Sequence, residues 1–196
     1  GIYMITMKDI IREGNPLLHE NAKDVVLPLS KDDEELMISM MEYIYNSIDP
    51  ELNTKYDLRP AVGLAAPQLG ILKKMIAIVA PDESGVEHEF ALINPRLLSY
   101  SDELTYLEGG EGCLSVDRKC DGLVHRPKRI TFESYFYDLD TKELVKKTMK
   151  LKGYLAVVFQ HEYDHLNGIL FVDKINKTDP YFVPDNSTPV VFKNDK

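Results

Sequence analysis

Residues 160–165 read Gln160-His161-Glu162-Tyr163-Asp164-His165. On a helix, side chains four positions apart share a face, so the imidazoles of His161 and His165 can reach one ion while Glu162 stands beside it, within reach of a bound water. This is the spacing of a hydrolytic metal site. The plainer alternative is that two histidines and two acids sit on an exposed helix face as solvated charges. Against it, Leu155, Ala156, Val157, Val158 and Phe159 run directly into the motif, which predicts a buried helix. Imidazole and carboxylate groups left without partners there would cost several kcal/mol. A shared cation removes that cost.

A catalytic site of this kind needs three protein ligands and an open position. One known continuation places a Gly and then a His downstream, but Phe171 stands where that His would fall, although Gly168 is in place. No Glu follows Glu162, and Asp173, Asp179, Asp185 and Asp195 are the downstream carboxylates available. The stronger candidate lies upstream in Glu111-Gly112-Cys113-Leu114-Ser115. Cys113 offers a soft anionic ligand beside a glycine that lets the backbone come close. Taken alone, a single cysteine is better read as a small buried hydrophobe.

The helix that carries the histidines is predicted over Tyr154–Leu166, opened by Gly153 and stopped by a left-handed Gly168, with Leu155, Val158, Phe159 and Glu162 at helical spacing. Val157 stands four residues before His161 and is expected on the metal-facing side. A second helix is predicted from Ser30, a hydroxyl cap followed by acids that suit the positive end of a helix dipole. Met37, Met40, Met41, Ile44 and Ile48 make one apolar stripe that ends near Pro50. This predicts a core-facing helix, with the acidic run as a solvated start. Short apolar runs at Met75–Val79, Ala91–Ile93 and Leu97–Tyr100 suit strands. Ile130–Tyr137 and Leu144–Leu151, joined by Asp138-Leu139-Asp140-Thr141, predict a hairpin. Pro180, Pro184 and Pro189 argue against a long final helix. The expected class is α+β, with short, mostly antiparallel strands packed around a central metal-binding helix.

With 196 residues and 44% hydrophobic content, the chain is expected to form a single catalytic domain over 1–196. Gly1, Ile2 and Tyr3 precede Met4, the expected natural start, and are given no role. Asp and Glu outnumber Lys and Arg by 32 to 23, for a net charge of −9, which argues against direct DNA binding by a broad basic face. No apolar run nears the roughly 20 residues that span a bilayer, so no membrane partner and a cytoplasmic location are expected. Two cysteines, Cys113 and Cys120, are too few for a disulfide framework and fit a reduced compartment.

A further run, Ala61-Val62-Gly63-Leu64-Ala65-Ala66-Pro67-Gln68, combines small residues with an amide side chain. Together with residues 111–115 and 160–165, in this order, it resembles the peptide deformylases, from about residue 4 to the region of Asp173. Ala61 stands where that family usually has Gly. The stretch Asn46–Arg59 and the proline-containing tail resemble the longer, type 2 class of Gram-positive bacteria. The resemblance implies removal of the formyl group from N-terminal formylmethionine of new polypeptides, releasing formate. It implies one divalent metal on Cys113, His161 and His165, ferrous iron by family habit, whereas thiolate and imidazole donors alone would suit zinc, nickel or cobalt equally. Water activated at that ion would attack the formyl carbon, with Glu162 as general base and then acid. By the same resemblance, the Gln68 amide and Leu114 N–H surround the oxyanion, Val62, Gly63 and Gly112 bind peptide backbone, and Val157 and Val158 line the methionine pocket. The implied partners are N-formylmethionyl nascent chains, with a transient ribosome contact.

Arg126 and Glu111 are read as a pair that fixes the cysteine loop, with two unrelated solvated charges as a nearly equal alternative. Cys120, His19, His88 and His125 are read as structural or surface residues. Two competing functions are a zinc endopeptidase using a downstream Asp, and a deformylase-like protein that binds without turnover.

Overall fold

The structure, a computed structural model, describes residues 3–194; Gly1, Ile2 and Asp195 lie outside them. A five-stranded sheet runs in the order β1-β2-β3-β6-β7, formed by β1 (Gly63–Ala65), β2 (Met75–Pro81), β3 (Glu87–Tyr100), β6 (Arg129–Tyr137) and β7 (Leu144–Lys152). All its pairings are antiparallel. A second sheet places β4 (Leu104–Tyr106) between β5 (Arg126–Pro127) and β8 (Ser187–Pro189), with β4 and β8 parallel. Three α-helices complete the fold: α1 (Lys31–Ile48), α2 (Pro50–Tyr56) and α3 (Tyr154–Leu166).

The unbroken apolar run of β2 has a direct physical cause. Successive side chains of a strand point to opposite faces, and here both faces are covered. Met75, Ala77 and Val79 pack with Met37, Met40, Met41 and Ile44 of α1. Ile76, Ile78 and Ala80 pack instead with Leu155, Ala156, Val158 and Phe159 of α3. The α1 stripe is core-facing as expected except at its last member, for Ile48 is 47% exposed and faces a cavity described below. Ser30 Oγ caps α1 by accepting from Asp33 N at 3.1 Å. Asp33 itself is buried and paired with Lys73 at 2.6 Å, so one acid of the run is not simply solvated.

The two runs expected as separate strands, Ala91–Ile93 and Leu97–Tyr100, belong to the single long β3. What divides them is a register irregularity between Ile93 and Arg96, where Asn94 takes a φ of 53°. Its side chain bonds the backbone of Val25 at both ends, accepting from Val25 N at 2.7 Å and donating to Val25 O at 3.0 Å. The β6–β7 hairpin forms as predicted, and Asp138 accepts from the backbone of Asp140 and Thr141 in the turn.

Candidate active site

The histidine helix α3 begins at Gly153, whose φ of 60° and ψ of −131° suit only a residue without a side chain. Its first amide is capped from far away in sequence. Glu83, in the turn between β2 and β3, accepts from Tyr154 N at 2.5 Å. Along its buried side, Phe159 stacks between Phe132 (4.2 Å) and Tyr163 (5.4 Å). That packing fixes the rotation of the helix and turns Tyr154, Val157, Val158, His161, Glu162 and His165 toward one side, as a 3.6-residue repeat requires.

Opposite this face, Cys113 and Val116 close a four-residue turn, with Val116 N donating to Cys113 O at 3.0 Å. Cys113 is buried in an apolar cluster with Leu18, Val124, Leu170 and Phe171. Phe171, the residue at the position where a third histidine would fall, stacks on the His161 ring at 5.9 Å. The ligand atoms of Cys113, His161 and His165 lie within 4.8 Å of one another, with Cys113 Sγ 3.4 Å from His165 Nε2. Bonds of about 2.0–2.3 Å from a tetrahedral ion to nitrogen and sulfur put adjacent ligand atoms roughly 3.5 Å apart, so the donor set fits a metal. Among the described residues this is the group that could share a cation, and Asp173, Asp179 and Asp185 are not part of it. Asp173 Oδ2 instead accepts from Leu170 N at 3.0 Å.

Behind the histidines lies a buried ionic chain in which Arg126 and Glu111 are paired, which removes the alternative of two unrelated solvated charges. His161 Nδ1 meets Glu111 Oε1 at 2.8 Å. Arg126 donates to both oxygens of that carboxylate, at 2.7 and 3.0 Å, and to Asp164 Oδ2 at 2.8 Å. Burial opposes ionisation of Glu111, but Arg126 and the His161 ring outweigh it and hold the carboxyl at about 2. Burial likewise opposes charge on His161, yet Cys113, Glu111 and Glu162 raise its pKa well above the usual value. His165 is pushed well below by burial, then by His161 and Arg126. The field at the His161 ring attracts positive charge, which is what a cation site requires. Sequence spacing did not reveal the Glu111–His161 contact, because the two residues are 50 positions apart.

Glu162 is buried, and burial pushes its pKa up to about 7, with Glu111 and Asp164 adding to the effect against His161 and Arg126. Its Oε1 has no protein partner among the described residues. Its Oε2 lies where β1 comes close, since a Cβ on Gly63 would stand 2.6 Å from it. Gln68 is held at both ends of its amide. Oε1 accepts from Ala65 N at 3.0 Å, and Nε2 donates to Cys113 Sγ at 3.4 Å and Ser115 Oγ at 3.2 Å.

A cavity of about 440 Å³ opens onto these groups. Its lining includes Val62, Gly63, Gln68, Gly112, Cys113, Leu114, Val157, Val158, His161 and Glu162, while His165 lies behind, fully buried. Every site residue named from sequence is therefore at this cavity or directly beneath it. Ile48, Arg59, Leu107 and Tyr154 also line it and were not anticipated. Tyr154 was within reach of the sequence, standing seven residues before His161 on the same helix face. His125, read as structural, bonds Ser187 Oγ at 2.6 Å and Phe182 O at 2.8 Å, and Cys120 is half-buried and free.

The family model for polypeptide deformylases matches residues 7–181. The chain is 50% identical over 187 residues to "Peptide deformylase 2" of Bacillus cereus, covering 95% of this chain and 99% of that one. It is 53% identical over 179 residues to a peptide deformylase of Halalkalibacterium halodurans, covering 91% and 96%. Among solved structures, the peptide deformylase of Thermotoga maritima is similar with a TM-score of 0.63 and 32% identity, covering 89% of this chain and 99% of that one. A probable peptide deformylase from Synechococcus phage S-SSM7 gives a TM-score of 0.65 at 34% identity, covering 84% and 97%. With about half its residues shared with relatives over nearly their full length, the chain belongs to the polypeptide deformylase family.

Proposed function

We propose that the chain works as one catalytic unit that removes the formyl group from the N-terminal formylmethionine of new polypeptides and releases formate, using a divalent metal on Cys113, His161 and His165. The observation that carries this reading is the convergence of one thiolate and two imidazoles at the floor of a cavity with Glu162 alongside. A bound ion at these three ligands supplies a Lewis acid that polarises the formyl carbonyl and acidifies water. Sulfur and nitrogen donors accept ferrous iron, zinc, nickel or cobalt; ferrous iron is the family's habit.

The protein's own groups divide the rest of the work. Glu162 takes the proton of the attacking water on its carboxylate and returns it to the departing amine; a pKa raised toward neutrality suits both transfers. Gln68 presents its NH₂ inward because Ala65 N fixes the other end of the amide, and with the Leu114 N–H it stabilises the charge that develops on the formyl oxygen. Val62 and Gly63 enter an edge strand of the main sheet, so they and Gly112 can bind an extended peptide as an added strand. Val157 and Val158 supply apolar wall for the methionine side chain. Such substrates place the protein in the cytoplasm, in passing contact with ribosomes. No helix among the described residues is long and apolar enough to cross a membrane.

The test is formate release by anaerobically purified protein from a formyl-Met tripeptide, beside the unformylated peptide and casein. Formate from the first and no cleavage of the others is expected. Cleavage of casein at a matching rate would contradict the proposal and favour an endopeptidase. In the same assay Gly63→Ala should lose about 10²-fold in kcat. Its Cβ displaces the Glu162 carboxylate, and a displacement on the order of 1 Å has that effect on a positioned group. Activity within twofold of wild type would show that Glu162 need not sit where Gly63 leaves it room.

A further inference from the structure

Arg59 follows α2 at the rim of the cavity, and the backbone from Arg59 to Ala61 is fastened to α1. Tyr43 Oη donates to Arg59 O at 2.9 Å, and Ser47 Oγ accepts from Ala61 N at 3.1 Å. Asn53 Nδ2 adds bonds to Ser47 O and Leu58 O. Tyr43 and Ser47 are both buried, so the base of the arginine is held by the core. Its guanidinium then reaches across to the cysteine turn. Nη2 donates to Cys113 O and, at 3.1 Å, to Val116 O, while Nη1 donates to Asp117 Oδ1 at 3.1 Å. Asp117 is held in turn by Arg12, at 2.7 and 2.9 Å.

One planar cation thus grips both ends of the four-residue turn that carries Cys113 Sγ, the Leu114 N–H and the Ser115 hydroxyl against which Gln68 rests. We infer that Arg59 is a positioning residue: it fixes the cysteine turn so that thiolate and amide donor keep their places relative to α3. It does this through two backbone carbonyls and the Asp117 carboxylate, while 40% of its side chain is exposed at the cavity rim. Nη2 serves the turn and Nη1 serves Asp117, the residue that follows it. A lysine cannot reproduce this fork, because a single ammonium cannot span two carbonyls and a carboxylate in a plane.

The kinetic part of this inference rests on the deformylase reading; the rest does not. The experiment compares metal-loaded wild type, Arg59→Met, Arg59→Lys, Asp117→Asn and Arg118→Ala. Each is measured for kcat and KM on a formyl-Met tripeptide, for amide exchange at Leu114–Val116, and for the rate of metal loss to a chelator. Arg59→Met is expected to lose about 10- to 100-fold in kcat with KM within threefold. Exchange at Leu114–Val116 and metal loss should each accelerate about tenfold, while the β2 amides exchange as in wild type. Arg59→Lys should recover only part of the loss. Asp117→Asn, a surface change that keeps the fold, should move the same quantities the same way by a few fold. Arg118→Ala, which removes only the exposed pair with Glu13, should match wild type.

Wild-type kcat and exchange in Arg59→Met and Asp117→Asn would overturn the inference. So would a KM that rises tenfold at constant kcat, the mark of a substrate contact, or equal acceleration at the β2 amides, the mark of general destabilisation. If Arg59→Met does not fold, Asp117→Asn decides. Should wild type release no formate at all, the proposed function fails, and exchange and metal retention still judge the role of Arg59.

Discussion

Glu162→Gln is expected to keep the fold and the bound metal while losing ~10²–10⁴-fold in turnover, the usual contribution of a positioned general acid–base group. Glutamine matches the shape of the carboxylate in its slot beside Gly63 but cannot accept and return a proton. The pH profile gives a second signature. Burial sets the Glu162 pKa at about 7, and a neighbouring cation favours the ionised form and lowers it. Wild-type kcat/KM should therefore rise with pH along a limb centred at or below about 7, since the base works only when deprotonated, and Glu162→Gln should lack that limb. Gln68→Ala is the comparison. It removes an oxyanion donor worth ~10²–10³ in turnover and should leave the limb in place. Near-normal turnover in fully metallated Glu162→Gln would move the proton carrier elsewhere, and Asp164 is a poor successor because its carboxylate already accepts from Arg126 at 2.8 Å.

Glu111→Gln should be the most destabilising of these substitutions to the fold. It takes from the buried Arg126 its bidentate carboxylate partner and leaves it only Asp164, and breaking a buried pair costs up to ~3–5 kcal/mol. Arg126 and the His161 ring hold the Glu111 carboxyl below its ordinary value, at about 2, so the ionised form stabilises the fold at neutral pH. Because the folded value lies below the unfolded one, this stabilisation is complete above about 4.5 and disappears as pH falls through about 2. Urea unfolding of metal-free protein at pH 7 should show the full loss in Glu111→Gln. Between pH 4.5 and 2, wild type should lose stability faster than the variant. The second effect is on the metal. His161 loses the carboxylate that orients its ring, and outer partners of this kind are worth 10–100-fold in metal affinity. A Glu111→Gln protein within 1 kcal/mol of wild type at pH 7, with unchanged metal affinity, would show the ionic chain to be incidental.

What could be read from the sequence was local or repetitive. The bounds of α3, Tyr154–Leu166, followed from a glycine at the start, apolar spacing and Gly168 after the end. The hairpin was legible over Ile130–Tyr137 and Leu144–Leu151 from one alternating run, an aspartate-rich turn and a returning apolar run, one residue short of its observed bounds at each outer end. That His161 and His165 share one side was legible because a helix turns i and i+4 to the same side. Cys113 was not legible on that basis; only the combination of three motifs raised it above a buried hydrophobe. The short strands β1, β4, β5 and β8 escaped because two or three residues carry no period, and β4 pairs with a partner 83 positions away, as between Thr105 and Thr188. Ile48 continued an apolar stripe, yet the helix ends there and leaves the side chain facing the cavity. The ionic chain from His161 through Glu111 and Arg126 to Asp164 joins segments that meet only after folding, and charge type without distance could not tell pairing from solvation.

The most direct test of the account is a titration of metal-free protein with a divalent metal under anaerobic conditions, following formate release from a formyl-Met tripeptide and bound metal together. Both should rise in proportion and saturate at one equivalent in wild type, and Cys113→Ala and His165→Ala should neither retain the ion nor recover activity. Full metal content with full activity in both variants would contradict the account.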